Sequence, residues 1–307
     1  MSRWKGIKTI EYPQKNEREL VLALGFFDCL HIGHIKIIDE CKLMAFNKSC
    51  SSAVFTFSNS PFEVLGKSQG QILTFDERLY KLDALHVDFC IKAQFDRSFS
   101  QLAPIDFLDN FVKYMSIKGI VVGNDYTFGK RGEGNVELLK KWCDDNSIEL
   151  SIVDFATDNG EKIASTKIRE LISSGDLEKA NEYLVQPYFI IGQVIHGYQR
   201  GRNIGFATAN IEYPSDKLKL KSGVYYTRVL IDGVWLKAVT NVGEHPTFND
   251  DNFNIESHVL YCDKDLYGKK IIIKFLERIR DVQKFSSKEE LCIQITKDVD
   301  FAINSKL

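Results

Sequence analysis

The hydrophobic pattern changes period once along the chain, close to Leu184-Val-Gln-Pro187, and that break points to two domains built on different principles. Before it, strand-like and helix-like segments alternate. Leu20-Val-Leu-Ala-Leu-Gly-Phe26 is a continuous apolar run of the kind a strand buried on both faces needs. Helical spacing follows over 35–46, then strand over 53–57. Thr74-Phe-Asp-Glu77 reads as a capping box that opens a helix to residue 85. Strand is expected at 87–91, a helix from Pro104 to about 115, strand at 119–123, helix at 135–146 and strand at 148–153. This alternation implies a doubly wound parallel sheet. After the break the segments are short and β-rich. Strands are expected at 188–195, 224–231, 234–239, 258–261 and 270–275, with Asp232-Gly233 as a hairpin turn. Ser287-Lys-Glu-Glu290 caps a last helix to about 302. The expected second domain is a small β-barrel with a terminal helix, and the boundaries are 1–184 and 185–307. A length of 307 residues suits two domains.

Charge excludes some partner classes. With 40 basic and 42 acidic residues the net charge is −2, so no global field draws the chain to nucleic acid or an anionic membrane. No apolar run approaches a membrane span, and residues 1–19 lack the apolar core of a signal peptide. Seven cysteines, scattered without a CxxC pair, fit neither a zinc cage nor a disulfide framework. A reducing cytoplasm is the expected location, with no obligatory protein partner evident.

The most informative residues follow the first long strand: Gly25-Phe-Phe-Asp-Cys-Leu-His31-Ile-Gly-His34. Six histidines among 307 residues make a chance HxGH string rare. Its place, at the carboxyl end of a strand and the start of a helix, is where open α/β sheets bind ligands. A helix N-terminus attracts anions, and Gly33 lets a phosphate approach the backbone. Two imidazoles one turn apart can donate to phosphoryl oxygens as charge builds, which requires no covalent nucleophile. Further on, Ile163-Ala-Ser-Thr-Lys-Ile-Arg169 sets Ser165 and Thr166 at a helix start with Arg169 close by, and Val121-Val-Gly-Asn-Asp-Tyr-Thr-Phe-Gly-Lys-Arg-Gly-Glu-Gly134 ends a strand in a glycine-rich loop.

The first of these motifs resembles the HxGH nucleotidyltransferase superfamily. Together the three are similar to the bacterial bifunctional riboflavin kinase/FAD synthetase family, whose leading motif is GNFDGVHLGH, whose middle one is VGxDFxFG and whose late one is ISSTxIR. Gly25, Phe27, Asp28, His31, Gly33 and His34 match the first, and Ile163, Ser165, Thr166, Ile168 and Arg169 the last. Cys29 stands where that motif has glycine. The second half extends the resemblance. Gly201-Arg-Asn-Ile-Gly-Phe-Ala-Thr-Ala-Asn210 is similar to GRxLGFPTAN, with Ala207 for its proline, and Asn241-Val-Gly-Glu-His-Pro-Thr-Phe248 to NIGxxPTF.

The resemblance implies two activities on one chain, phosphorylation of riboflavin to FMN with ATP and adenylylation of FMN to FAD with release of pyrophosphate. It implies His31, His34 and Glu256 as catalytic residues, the last as the base for the riboflavin hydroxyl. Nucleotide and phosphate contacts are implied for Gly25, Phe27, Asp28, Gly33, Gly123, Asp125, Ser165, Thr166, Arg169, Gly201, Arg202 and Gly205. Thr208 and Asn210, two neutral oxygen donors, are implied as holders of Mg²⁺ beside ATP. The alternatives left open are a single adenylyltransferase with a non-catalytic flavin-binding barrel, an aminoacyl-tRNA synthetase, and a flavin-binding regulator without turnover.

Overall fold

The computed structural model describes residues 6–67, 69–196, 205–245 and 250–306. They form two compact units that divide between Ser165 and Thr166.

The first unit contains β1 (Lys8–Glu11), β2 (Asn16–Leu24), α1 (Ile32–Asn47), β3 (Ser51–Phe57), α2 (Pro61–Val64), α3 (Phe75–Ala84), β4 (Phe89–Ala93), α4 (Pro104–Tyr114), β5 (Met115–Gly123), α5 (Val136–Asp145) and β6 (Glu149–Val153). A two-residue pair, β7 (Thr157–Asp158) and β8 (Glu161–Lys162), closes it. The six long strands make one sheet in the order β1-β4-β3-β2-β5-β6, every neighbour parallel. Alternating residues of one strand feed opposite layers. Leu20, Leu22, Leu24, Ile120 and Val122 join Phe107, Phe111, Leu139 and Trp142 in one core on the α4 and α5 side. On the other face α1 seats Met44 against β5 at Gly119, where a Cβ would collide with the methionine sulfur. The strand direction of connection reverses between β2 and β5, so a crevice opens beyond their carboxyl ends.

The expected β4 begins two residues late. α3 ends with Val87 bonded back to Leu82 and His86 at φ 56°, and the chain is extended only from Phe89. β1, β7 and β8 carry too few apolar residues to show a period.

The second unit opens with α6 (Ser165–Ser174), which begins at the dividing point, and α7 (Leu177–Tyr183). Then come β9 (Phe189–Ile195), β10 (Ala209–Glu212), β11 (Gly223–Ile231), β12 (Val234–His245), β13 (Asp250–Val259), β14 (Lys270–Arg280) and α8 (Lys288–Asn304). The six strands close into a barrel, β10-β13-β12-β11-β14-β9, with antiparallel pairing throughout. Asp232 and Gly233, at φ 50° and 85°, turn the β11–β12 hairpin as expected. The strand expected at 258–261 instead ends at Val259, because Tyr261 turns at φ 58°. Its earlier residues hide the strand period by being polar, although Ile255, Ser257 and Val259 are all buried.

Val224, Tyr226 and Val239 form an apolar seat with Leu260 and Ala302 of α8. Arg280 fixes the helix further by a bidentate pair with buried Asp298, Nη2 to Oδ2 at 2.6 Å and Nε to Oδ1 at 3.0 Å. On the opposite face, inside the barrel, Thr227, Thr240 and Ser257 link their hydroxyls at 2.6 and 2.7 Å across three strands.

Candidate active sites

His31 is the residue from which α1 starts. Its backbone is extended and its ring folds back, so Nδ1 accepts from the amides of Gly33 at 3.0 Å and His34 at 3.2 Å. Two donors of the helix terminus are thereby satisfied. The same bonds set the tautomer: Nδ1 is an acceptor, so the ring proton sits on Nε2 and is available to a ligand. Gly33 is needed for this fold-back, since a Cβ there would stand 2.9 Å from Cε1 of His31. His34 stacks on His31 with centroids 3.8 Å apart and 13° between planes. Its Nδ1 is buried without a partner among the described residues. Burial lowers the His31 pKa to about 4. Burial, His31 itself, Lys81 and Lys162 push His34 well below the usual imidazole value. Both rings are neutral at pH 7, so they act as donors rather than as charges.

The loop before them is strained. Phe27 and Leu30, both buried, hold φ of 53° and 50°, a region costly for residues with a Cβ. What over-determines it comes from α3, which sends two cations underneath. Arg78, fully buried, donates to the carbonyl of Phe26 and to Thr56 Oγ1, both at 2.9 Å, and to Gln71 Oε1 at 3.0 Å. Lys81, 3% exposed, donates to the carbonyls of Cys29 and Leu30, each at 3.3 Å. Asp28 Oδ1 accepts from the Ile72 amide at 3.0 Å and so ties the loop to the segment before α3. Sequence reading passes over Arg78 and Lys81, because charged residues on an amphipathic helix are assigned to its solvent face. Here Glu77, Arg78 and Lys81 are buried with Leu82, and the signal that could have found them is that charge on the helix face turned inward.

Gly123 closes β5 on the other side of the crevice, and Asp125 just beyond it pairs with Lys162. The β7–β8 hairpin turns at Asn159 and Gly160, with φ of 50° and 84°, and Ile163 then bonds Ala156 at 2.8 Å. That return carries Ser165 to Cys29, where Oγ and Sγ stand 3.3 Å apart across 136 residues of sequence. Cys29 is fully buried, and burial pushes its thiol up to about 12. Gly25 and Phe27 line the same turn, Phe27 edge-on to His34 at 5.2 Å. Thr166 and Arg169 lie in the first turns of α6, Thr166 exposed and Arg169 half-buried.

The barrel carries the other cluster. A cleft of about 450 Å³ is lined by Thr208 and Asn210 from β10 and its approach, Ser257 from β13, and Cys262 to Tyr267 of the following loop. Asn210 Nδ2 lies 3.4 Å from both Thr208 oxygens, so these two side chains meet. Register sets Asn210 and Asn241 opposite Glu256, one on each flank, and all three share the barrel's outer face. Glu256 itself is half-buried and outside the cleft lining. Gly205 turns at φ 87° in open space. Gly201 and Arg202 lie outside the described residues, as does Pro246-Thr-Phe248.

A parallel sheet with an HxGH helix at its crossover point, followed by a closed antiparallel barrel with a terminal helix, defines a nucleotidyltransferase-like unit joined to a second, independent fold. The comparisons divide the same way: the FAD synthetase family matches residues 13–167 and the riboflavin kinase family residues 184–306. The chain belongs to the bifunctional riboflavin kinase/FMN adenylyltransferase family. The relative so named in Listeria monocytogenes is 38% identical over 95% of this chain and 93% of its own. The one in Bacillus subtilis is 34% identical over 94% and 93%. A crystal structure titled as a macrolide-efflux protein from Streptococcus pneumoniae superposes with a TM-score of 0.88 at 31% identity, covering 98% of this chain and all of that one. Among the described residues no helix is long and apolar enough to cross a membrane.

Proposed function

We propose that the chain makes FAD in two steps, phosphorylating riboflavin on the barrel and adenylylating FMN on the parallel-sheet unit, with residues 185–307 and 1–184 as the respective domains. The observation that carries this is that each family match falls on a unit holding its own cluster of functional groups. It also disfavours a passive barrel.

In adenylyl transfer the FMN phosphate attacks the α-phosphorus of ATP and pyrophosphate leaves. His31 Nε2–H, held by the cap, and the stacked His34 donate to the oxygens on which charge grows. Gly25, Phe27, Asp28, Gly33, Gly123 and Asp125 line the nucleotide pocket, and Ser165, Thr166 and Arg169 hold phosphates. Replacing His31 by Ala lowers FAD formation by about 10²-fold or more and leaves FMN formation intact. Unchanged FAD synthesis from supplied FMN sinks the assignment.

In the kinase step Glu256 accepts the proton of the riboflavin hydroxyl as it attacks the γ-phosphate, and Gly201, Arg202 and Gly205 approach the phosphates. Thr208 and Asn210 fit a hard cation, because they offer neutral oxygens from two side chains already in contact. A Mg²⁺ ion held by these two residues would supply charge neutralisation at the phosphates. Glu256→Gln keeps the shape and removes the base, so flavin still binds while phosphorylation slows by about 10²–10⁴-fold. Full turnover in that variant refutes the base. Riboflavin, FMN and ATP are the partners of this reading, without nucleic acid or membrane. Seven free cysteines, several buried, fit a reducing cytoplasm.

A further inference from the structure

Cys29, His31 and His34 present one ligand atom each, all within 4.8 Å of one another. Nothing in adenylyl transfer requires a thiol there, and the family's motif has glycine at that position. We propose that these three residues form a binding site for a thiophilic divalent cation of the zinc class.

Sulfur and nitrogen ligands around zinc lie at about 2.3 and 2.0 Å from the ion, so their mutual separations are near ~3.5 Å. The two rings are stacked, 3.8 Å apart and 13° from parallel, so reaching that arrangement requires one imidazole to rotate out of the stack, in addition to a closure of about 1 Å. The donors suit the ion. Both imidazoles are neutral, and His34 Nδ1 is buried with no partner among the described residues. The thiol sits against Ser165 Oγ and also takes a backbone hydrogen bond from His31, contacts it gives up or shares on turning to a metal. His31 must release its cap on α1, either by turning Nδ1 to the ion or by moving its proton from Nε2 to Nδ1. Three protein ligands leave the fourth tetrahedral position to water. The step is balanced: the S–H bond breaks, the S–metal bond forms, one proton passes to solvent, and no electron moves. The charged groups that surround the cluster are Lys81 beneath the loop, Lys162 beside it, and Asp28 and Asp125. The two cations and two carboxylates balance, so the thiolate offsets half of the added +2 and the occupied site carries a net +1. Proton release makes binding tighten as pH rises.

Occupation withdraws both imidazoles from phosphate oxygens. This consequence rests on the adenylyl-transfer reading above, whereas the binding itself does not. Titration of the full chain with Co²⁺ reports the site directly. The expected result is a thiolate-to-cobalt charge-transfer band that saturates at one ion per chain and is abolished by stoichiometric Zn²⁺. Cys29→Ala is expected to lose the band and to bind Zn²⁺ at least 100-fold more weakly by calorimetry. In excess Mg²⁺, Zn²⁺ then inhibits FAD formation by the wild type and leaves its riboflavin phosphorylation unchanged. Absence of a charge-transfer band in the wild type overturns the site, without recourse to any variant. So does equal zinc affinity in Cys29→Ala. A saturating band with zinc-insensitive FAD synthesis upholds the site and overturns the placement of adenylyl transfer at these histidines.

Discussion

Because Nδ1 of His31 is committed to two backbone amides, the position of that ring and its tautomer are set by the same bonds, while burial lowers its pKa. The linkage has a definite sign. The folded value lies near 4 and the unfolded value near 6.5, so between them the unfolded chain binds more protons. Stability is therefore full above about pH 6.5 and falls as the pH drops towards 4, by about 3 kcal/mol for His31, with His34 acting in the same direction. Urea midpoints measured from pH 4 to 7 are expected to rise steeply for the wild type and less so for His31→Asn, which keeps a capping oxygen but does not titrate. Gly33→Ala tests the fold-back: its Cβ forces the His31 ring away, and FAD synthesis falls while FMN synthesis holds. At this level the sequence is a good guide. The HxGH string, the helix it starts and the strand before it are all visible in residue order. The Arg78 and Lys81 clamp is not, since it holds the loop through the backbone carbonyls of Phe26, Cys29 and Leu30, and a carbonyl leaves no trace in a residue name.

α3 and α8 show how a helix can be recognised without its role being recognised. Both have capping boxes or capping serines that fix their starts. Each buries charge beside its apolar contacts: Glu77, Arg78 and Lys81 with Leu82 on α3, Asp298 with Ala302 on α8. A buried ion pair broken on one side leaves a stranded charge. Asp298→Ala is expected to lower unfolding stability by about 3 kcal/mol, read from urea denaturation. The double replacement Arg280→Met with Asp298→Leu recovers most of that loss, because the stranded guanidinium is removed with its partner. Strand β13 was placed late by sequence for a related reason. Its inner positions alternate with Glu256 and His258, and Ser257 is buried with a hydroxyl partner, Thr240 on β12, which in turn meets Thr227 on β11, rather than by being apolar.

The change of period near residue 184 falls just before the first barrel strand, whereas the compact units divide earlier, between Ser165 and Thr166. The reason is visible in α7. Asn181 donates to the carbonyl of Phe275 at 3.0 Å and accepts from the Tyr188 amide at 2.8 Å, so this helix is bonded to barrel strand β14 and to the residue that leads into β9. Helical periodicity does not disclose which core a helix joins. A piece comprising residues 166–307 is accordingly expected to be more stable than one comprising 185–307, with a higher thermal midpoint in matched buffers. Riboflavin kinase activity in both, and FAD synthesis in neither, is the outcome that the domain assignment requires.

Among the described residues, β9 and β10 are joined by two registered pairs, Asn210 with Ile195 and Ile211 with Val194. Every other junction in the ring shows more pairs among those residues. The strand that carries Asn210 is thus sewn in by the shortest stitch, and its amides should exchange with deuterium sooner than those of β11 or β12. On the proposed reading, Mg²⁺ and ATP held at Asn210 would add thread at that seam. Slowed exchange at β9 and β10, with little change elsewhere in the ring, is the signature by which occupancy could be followed without assaying turnover.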